Sequence, residues 1–136
     1  MKPIECALTP AAVATAQREL EALVTSQEGV TLAVLTSSDG FEIAAHPRRQ
    51  AGLTQKIAAM SSSLQALAEA LVREVGVARN RSLIIESEGA AIVVLGTTCQ
   101  ALPASLSVVA TGGPSLGQLL WASRNCCACL ERNLKV

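Results

Sequence analysis

The chain has 136 residues, half of them hydrophobic, and its only aromatic side chains are Phe41 and Trp121. This composition excludes an intrinsically disordered or collagen-like chain, and the length suits one domain. Eleven Lys and Arg residues balance eleven Asp and Glu residues, so no net charge attracts nucleic acid or an anionic membrane surface. We expect one domain over residues 9–136, preceded by a flexible segment at residues 1–8.

The five cysteines are an odd set, and three of them, Cys126, Cys127 and Cys129, fall within four positions. This is a poor disulfide framework, so we expect reduced thiols and a cytoplasmic protein. The longest apolar run, Ala90 to Leu95, is far shorter than the roughly 20 residues that a membrane helix needs. Glu5 and Pro10 interrupt the apolar core that a signal peptide requires. We therefore expect neither membrane insertion nor a signal peptide.

The first predicted elements are a helix and a β-hairpin. Thr9-Pro10 predicts a helix start, because Thr caps free amides and Pro fits the first turn. Apolar residues then recur at helical spacing until Gly29; they are Val13, Ala16, Leu20 and Leu23. Two apolar segments, Val30 to Thr36 and Phe41 to Ala45, flank a turn signal at Asp39-Gly40. They predict two strands joined at that turn.

The strongest helix pattern runs from Leu53 to Val75. Its apolar residues recur in steps of three or four, a period that no strand can use; they are Leu53, Ile57, Met60, Leu64, Leu67, Leu71 and Val75. Many of the remaining positions carry Ala or Ser. A helix with so many small residues can bury a wide face, so we expect it to contact a sheet and a second helix at once.

Three strands and a last helix complete the pattern after Gly76. The strands are predicted at Arg81–Ser87, Ala90–Thr97 and Ser105–Ala110, with a tight connection at Glu88-Gly89 and a looser one at Cys99–Pro103. The segment Ala90 to Leu95 is apolar on both faces, which indicates a central strand with helices on both sides of the sheet. The last helix carries a mainly apolar stripe of residues at helical spacing; they are Leu116, Leu119, Ser123, Cys127, Leu130 and Leu134. The order is α-β-β-α-β-β-β-α, an α+β domain.

Two motifs near the last helix suggest catalysis or nucleotide binding, and both lack essential residues. Gly113 to Gly117 matches the nucleophile elbow G-x-S-x-G, but the only histidine, His46, precedes Ser115, and Glu131 is the sole carboxylate after it. Gly112 and Gly117 have the spacing of a phosphate loop, yet Gln118 replaces the required Lys. We therefore expect Ser115 to be a structural residue at the start of the helix, with no catalytic residue and no cofactor.

Cysteine, tryptophan and arginine residues offer weaker signals. Cys126 and Cys129 form one C-x-x-C pair, but zinc needs four ligands, so packing on the helix is the favoured interpretation and no metal is expected. Trp121 lies off the apolar stripe, either as an exposed contact residue or partly buried under the first helix. Four arginines flank the long helix at its two ends, where they are either solvated or bind an acidic protein surface; they are Arg48, Arg49, Arg79 and Arg81.

The element order and several local sequences resemble the Roadblock/LC7 family. The resemblance covers about Ala12 to Leu134. It rests on the strand-turn-strand at Val30 to Ala45, the long helix, Leu83-Ile84-Ile85-Glu86 with the following Ala91 to Leu95, and the Leu116-Gly117 entry to the last helix. It implies a five-stranded antiparallel sheet with the long central helix on one face and the terminal helices on the other, a profilin-like layered architecture.

The resemblance also implies a homodimer in which the long helices pack together and the strand Arg81–Ser87 pairs with its own copy. The predicted interface contains Leu53, Ile57, Met60, Ser61, Leu64, Leu67, Ala68, Leu71, Leu83, Ile84 and Ile85. Such dimers are non-catalytic modules that regulate or scaffold a Ras-like small GTPase, and here Lys56, Glu69 and Arg73 are expected at the rim of the partner-binding surface. Two alternatives stay open: a small-molecule or redox sensor that uses the clustered cysteines, and an assembly subunit without a GTPase partner.

Overall fold

The computed structural model describes residues 8–48 and 52–134. They form α1 (Pro10–Ser26), β1 (Val30–Ser37), β2 (Glu42–His46), α2 (Leu53–Val75), β3 (Ser82–Ser87), β4 (Ala90–Cys99), β5 (Leu102–Thr111) and α3 (Leu116–Asn133). This confirms the predicted order and the α+β class. Of the segment 1–8 that we predict to be flexible, only Leu8 is described, partly buried against the core. Cys6 and Arg49 also lie outside the described residues.

The five strands form one antiparallel sheet in the order β2-β1-β5-β4-β3. Helix α2 packs on one face, against β1, β2, β4 and β5, whereas α1 and α3 contact each other on the opposite face. The profilin-like layered architecture is thus confirmed. Because α2 makes few contacts beyond β4, the edge strand β3 projects past the helix that covers its neighbours.

The two faces of the sheet bury very different amounts of apolar side chain. Between the sheet and α1 and α3, large residues are almost inaccessible to solvent, among them Leu20, Leu35, Leu106, Leu119 and Leu130. Beneath α2 the buried apolar cluster is small and consists of Val34, Ala45 and Ala58, with Leu32 and Ile57 partly buried beside them. Most of the hydrophobic stabilisation therefore comes from the α1 and α3 side.

Local capping explains where the helices begin and end. Thr9 Oγ1 accepts a hydrogen bond from the Ala12 amide at 3.1 Å. Ser115 Oγ accepts one from the Gln118 amide at 3.2 Å, while Gln118 Oε1 accepts one from the Ser115 amide at 3.1 Å, which completes a capping box. Gly76, at φ +80°, ends α2 in the left-handed conformation that favours glycine.

The connection between β4 and β5 differs from the prediction. The connection expected to be loose at Cys99–Pro103 is a two-residue turn, because Gln100 and Ala101 adopt φ of 50° and 66° and let β4 and β5 pair up to their ends. Pro103 is tolerated in β5 because β1 pairs only as far as Ala104, so no strand needs its missing N–H. As predicted, β4 is an interior strand: it pairs with both β3 and β5, and α3 and α2 contact its two faces.

Candidate functional site

The inner face of α2 is built from small side chains. Thr54, Ala58 and Ser61 are the buried residues of this helix. The Ser61 and Ser107 hydroxyl oxygens lie 2.6 Å apart and share a hydrogen bond across the interface between helix and sheet. Ser61, which we predicted in the dimer interface, therefore contacts the chain's own sheet instead.

Most of the large apolar side chains of α2 point away from the sheet, and Ile85 of β3 lies on the same side of the sheet as this helix. We call this set the outer apolar surface; its members are Leu53, Met60, Leu67, Leu71, Val75, Val77 and Ile85. Leu67 is 67% exposed and Leu71 is 65% exposed. Residues four apart on a helix lie on one side, so these leucines form a continuous stripe. A large exposed apolar patch of this kind marks a protein interaction site.

The other predicted site residues lie at the margins of this surface. Ile57, Leu64, Ala68 and Leu83 are half-buried between it and the interior. Lys56 and Arg73 are exposed near opposite ends of α2, and Glu69 is half-buried. The structure thus places the three predicted rim residues along the helix, about 25 Å apart at the extremes given the rise of 1.5 Å per residue.

Strand β3 leaves one edge of the sheet open. It pairs with β4 from Ser82 to Ser87, and no strand among the described residues pairs with its other side. Ile84 and Ile85, in the middle of the strand, are more than one third exposed. Unpaired backbone groups flanked by apolar side chains form a template for pairing with another strand.

A polar cluster ties the start of α2 to β2. The Glu42 carboxylate accepts a hydrogen bond from Thr54 Oγ1 and forms an ion pair with Arg48, whose Nη2 lies 2.9 Å from Glu42 Oε2. The Glu42 side chain is only 7% exposed, whereas that of Arg48 is 63% exposed. The sequence did not point to Glu42, since no spacing rule connects a strand residue to a helix that begins after a loop.

A cavity of about 890 Å³ opens beside the start of β3. It exists because β4 runs past β3: Ser82 pairs with Leu95, so Gly96 to Cys99 have no β3 residue opposite them. Arg79 and Arg81 line this cavity together with Arg124 of α3. Arg48 instead joins Glu42 near the start of α2, so the arginines are divided between the two ends of that helix.

The clustered cysteines are packing residues in this fold. Cys126 and Cys127 are buried, and burial raises the pKa of both thiols to about 12. Both are therefore protonated at neutral pH, which makes them poor nucleophiles and poor metal ligands. Cys129 is half-buried and accepts a hydrogen bond from Arg132 Nη2 at 3.3 Å. Within residues 8–48 and 52–134, no cluster of three or more His, Cys, Asp or Glu side chains is arranged to hold a metal ion.

Ser115 and Trp121, the two remaining residues considered in the sequence, lie at the start of α3 and within it. Ser115 is the N-cap of α3, with its hydroxyl used by the Gln118 amide. Trp121 is 65% exposed beside a shallow groove between α1 and α3, so it is not buried under the first helix. None of the described helices is both long and apolar enough to span a bilayer.

Comparisons with known proteins agree with this architecture. The chain is similar to MglB in a tetrameric arrangement, with 21% identity, a TM-score of 0.79 and coverage of 98% of this chain and 97% of that one. It is also similar to the gliding protein MglB of Thermus thermophilus, with 20% identity, a TM-score of 0.78 and coverage of 98% of both chains. Acanthamoeba castellanii profilin IA is 16% identical, with a TM-score of 0.63 over 86% of this chain and 97% of that one.

These structural similarities establish the fold, and the sequence establishes the family. No curated protein matches the sequence. The family model of the Roadblock/LC7 domain, however, matches residues 16–99, a range that extends from α1 to the end of β4. This range is more than half of the chain and includes both α2 and the open strand β3. The chain belongs to the Roadblock/LC7 family.

Proposed function

We propose that the chain is a homodimeric, non-catalytic module of the cytoplasm that regulates or scaffolds a Ras-like small GTPase. The outer apolar surface is the observation that carries this proposal. Its leucines and Ile85 are exposed in the single chain although smaller residues of α2 are buried. Covering large apolar side chains is the main favourable term in protein association, so this surface favours a role as an interface.

A second copy of the chain suits this surface because two features of it need a partner together. The leucine stripe of α2 needs another apolar surface, and the open edge of β3 needs another strand. A twofold axis beside β3 pairs this strand with β3 of the second copy, which joins the two sheets into one extended sheet. The same axis places the two α2 helices side by side on one face of that sheet. Such an interface is self-complementary, as twofold dimers require. The similarity to MglB in a tetrameric arrangement supports self-association.

The proposed GTPase partner rests on membership of the Roadblock/LC7 family and on the exposed charges of α2. Lys56 and Arg73 remain at the ends of the helix, where a partner that binds across both protomers can contact them. The groups considered for catalysis have structural roles: Ser115 caps a helix, and the Cys126 and Cys127 thiols are protonated. A binding role therefore fits the described residues better than an enzymatic one.

The raised pKa of Cys126 and Cys127 argues against a redox sensor that uses these thiols. An assembly subunit without a GTPase partner is the second candidate, because the outer apolar surface fits it equally well. The two candidates differ in one property: only a GTPase regulator distinguishes the nucleotide states of its partner.

The test is capture of partners from source-cell lysate on the immobilised protein, with GDP or with a non-hydrolysable GTP analogue. We expect a small GTPase that is retained preferentially in one nucleotide state. We also expect weaker retention by the Lys56→Glu, Arg73→Glu variant. The matched control, Arg18→Glu with Arg132→Glu, makes the same charge change on α1 and α3 and should capture normally. No GTPase in either state would overturn the regulator and leave the assembly subunit.

A further inference from the structure

Strand β3 is basic where it begins and acidic where it ends. Arg79 and Arg81 precede it, whereas Glu86 lies near its end and Glu88 lies in the turn to β4. All four side chains are exposed. Within the described ranges, none of them forms an ion pair, and Arg48 with Glu42 is the ion pair found there. Four unpaired charges thus surround an apolar strand whose outer edge is open.

The basic end of β3 opens into the cavity of about 890 Å³. Three arginine residues line it, Arg79, Arg81 and Arg124. Two carboxylates also line it, Glu69 and Glu131, and Glu131 Oε2 already accepts a hydrogen bond from Thr97 Oγ1 at 3.0 Å. The cavity therefore has a positive charge excess and fits an acidic group.

We propose that this cavity receives the acidic turn between β3 and β4 of a second copy of the chain. The inference rests on the proposed homodimer. A twofold axis at Ile84 or Ile85, the middle of β3, aligns the two β3 strands in antiparallel directions. It places the partner's Glu88 opposite Asn80 or Ser82, next to Arg81, and the partner's Glu86 opposite Ser82 or Ile84. The basic end of each strand thus meets the acidic end of the other.

The side-chain directions on β3 agree with this pairing. Glu86 pairs with Ala91 and lines a small cavity with Leu116 and Leu119, so it lies on the α3 side of the sheet. A twofold axis perpendicular to the sheet keeps the partner's Glu86 on that same side. There it approaches Arg124, two turns along α3 from Leu116, while the partner's Glu88 approaches Arg79 and Arg81. The partner's Glu86 consequently has a guanidinium group, that of Arg124, on its own side of the extended sheet.

These charges select the orientation and the register of the dimer. Parallel pairing of two β3 strands places Arg next to Arg and Glu next to Glu, and like charges on neighbouring strands are destabilising. Antiparallel pairing replaces this repulsion with attraction at both ends, because the twofold axis repeats every contact. Charge complementarity of this kind suppresses incorrect partners and sets the register. A relative without the acidic turn should therefore pair poorly with this chain.

Charge reversal in the full chain tests the proposal. The basic variant is Glu86→Lys with Glu88→Lys, and the acidic variant is Arg79→Glu with Arg81→Glu. Analytical ultracentrifugation at low and high salt gives the Kd of each dimer, and circular dichroism checks folding. We expect each variant alone to dimerise about tenfold or more weakly than the parent at low salt. An equimolar mixture of the two variants should form a heterodimer, and the fourfold variant that carries all four reversals should recover the homodimer.

The control is Arg18→Glu with Arg132→Glu, which matches the charge change of the acidic variant at exposed residues outside the cavity. Its dimer Kd should equal that of the parent. If the basic and acidic variants also keep the parent's Kd, the charged contact is overturned while the homodimer stands. If the parent itself is monomeric at every concentration, the homodimer fails, and this inference fails with it.

Discussion

Burial decides the chemistry of Cys126 and Cys127. Three cysteines within four positions suggest a metal or redox site when read as a motif, but the helix turns two of them into the core between α1, α3 and the sheet. There the thiolate form loses its hydration, which raises the pKa of both thiols to about 12. The sequence predicted this packing role for Cys127 because that residue continues the apolar stripe of the last helix.

The raised pKa values give the stability of the domain a pH dependence. A thiol ionises near its ordinary pKa of 9.0 in the unfolded chain but only near 12 in the folded one. The free energy of unfolding should therefore be insensitive to these groups below about pH 9 and decrease as the pH rises from 9 towards 12. Urea unfolding from about pH 8 to 10.5 measures it. The Cys126→Ala, Cys127→Ala variant should show a shallower decrease, and an equal slope for both proteins would contradict the assignment.

Glu42 is a second residue whose importance depends on burial. Its carboxylate joins Thr54 and Arg48 at the start of α2, and its side chain is 7% exposed. We expect Glu42→Gln to lower the free energy of unfolding by about 1 to 3 kcal/mol, because it weakens charge-assisted hydrogen bonds to a buried group. Arg48→Ala should cost about 0 to 1 kcal/mol, since that side chain is mostly in solvent. Chemical unfolding of both variants measures the difference, and a larger cost for Arg48→Ala would exclude this assignment.

At the scale of elements, strong periodicity and cap residues predicted the order of the elements and several of their boundaries. The bounds of α2, Leu53 and Val75, were predicted directly, and so was the N-cap Thr9 of α1. The turn between β4 and β5 was not, because Gln100 and Ala101 are not residues that usually adopt positive φ. The cavity was not predictable either, since it depends on the unequal lengths of β3 and β4 and on Arg124, which follows much later in the chain.

The apolar stripe of α2 shows the limit of a sequence pattern. Periodicity indicates that the stripe is covered, but it does not say whether the covering surface belongs to the same chain. In the structure the small face packs on the sheet, and the leucines remain exposed. The outer apolar surface is therefore recognisable only when the fold shows which face of the helix packs against the sheet.

Replacing two of these leucines tests whether α2 forms the dimer interface. We expect the Leu67→Glu, Leu71→Glu variant to remain folded, because both side chains are mostly exposed, and to be monomeric, because an unpaired charge is costly to bury. Light scattering measures the mass, and circular dichroism measures folding. Trp121→Glu is the matched control, since Trp121 is 65% exposed on α3, as Leu71 is 65% exposed on α2. A double variant that stays dimeric would remove the outer face of α2 from the interface.

At the scale of the whole molecule, the distribution of buried area makes the α2 side the less stable half of the domain. The α1 and α3 side buries large leucines, whereas α2 is held by alanines, a shared serine hydrogen bond and the Glu42 cluster. Small side chains contribute less hydrophobic stabilisation. A second copy that covers the outer apolar surface consequently supplies stability that the single chain lacks, so folding and dimerisation should be coupled.

This coupling predicts that thermal stability depends on protein concentration. Mass action stabilises a folded dimer as protein concentration rises, whereas the stability of a folded monomer does not depend on concentration. We expect the apparent Tm of the parent to rise by about 2 to 4 °C for each tenfold increase in concentration. Differential scanning fluorimetry over a concentration series measures this slope. The Leu67→Glu, Leu71→Glu variant should melt at a lower temperature that does not change with concentration. A parent Tm that is equally constant would show that α2 needs no second copy to stay folded.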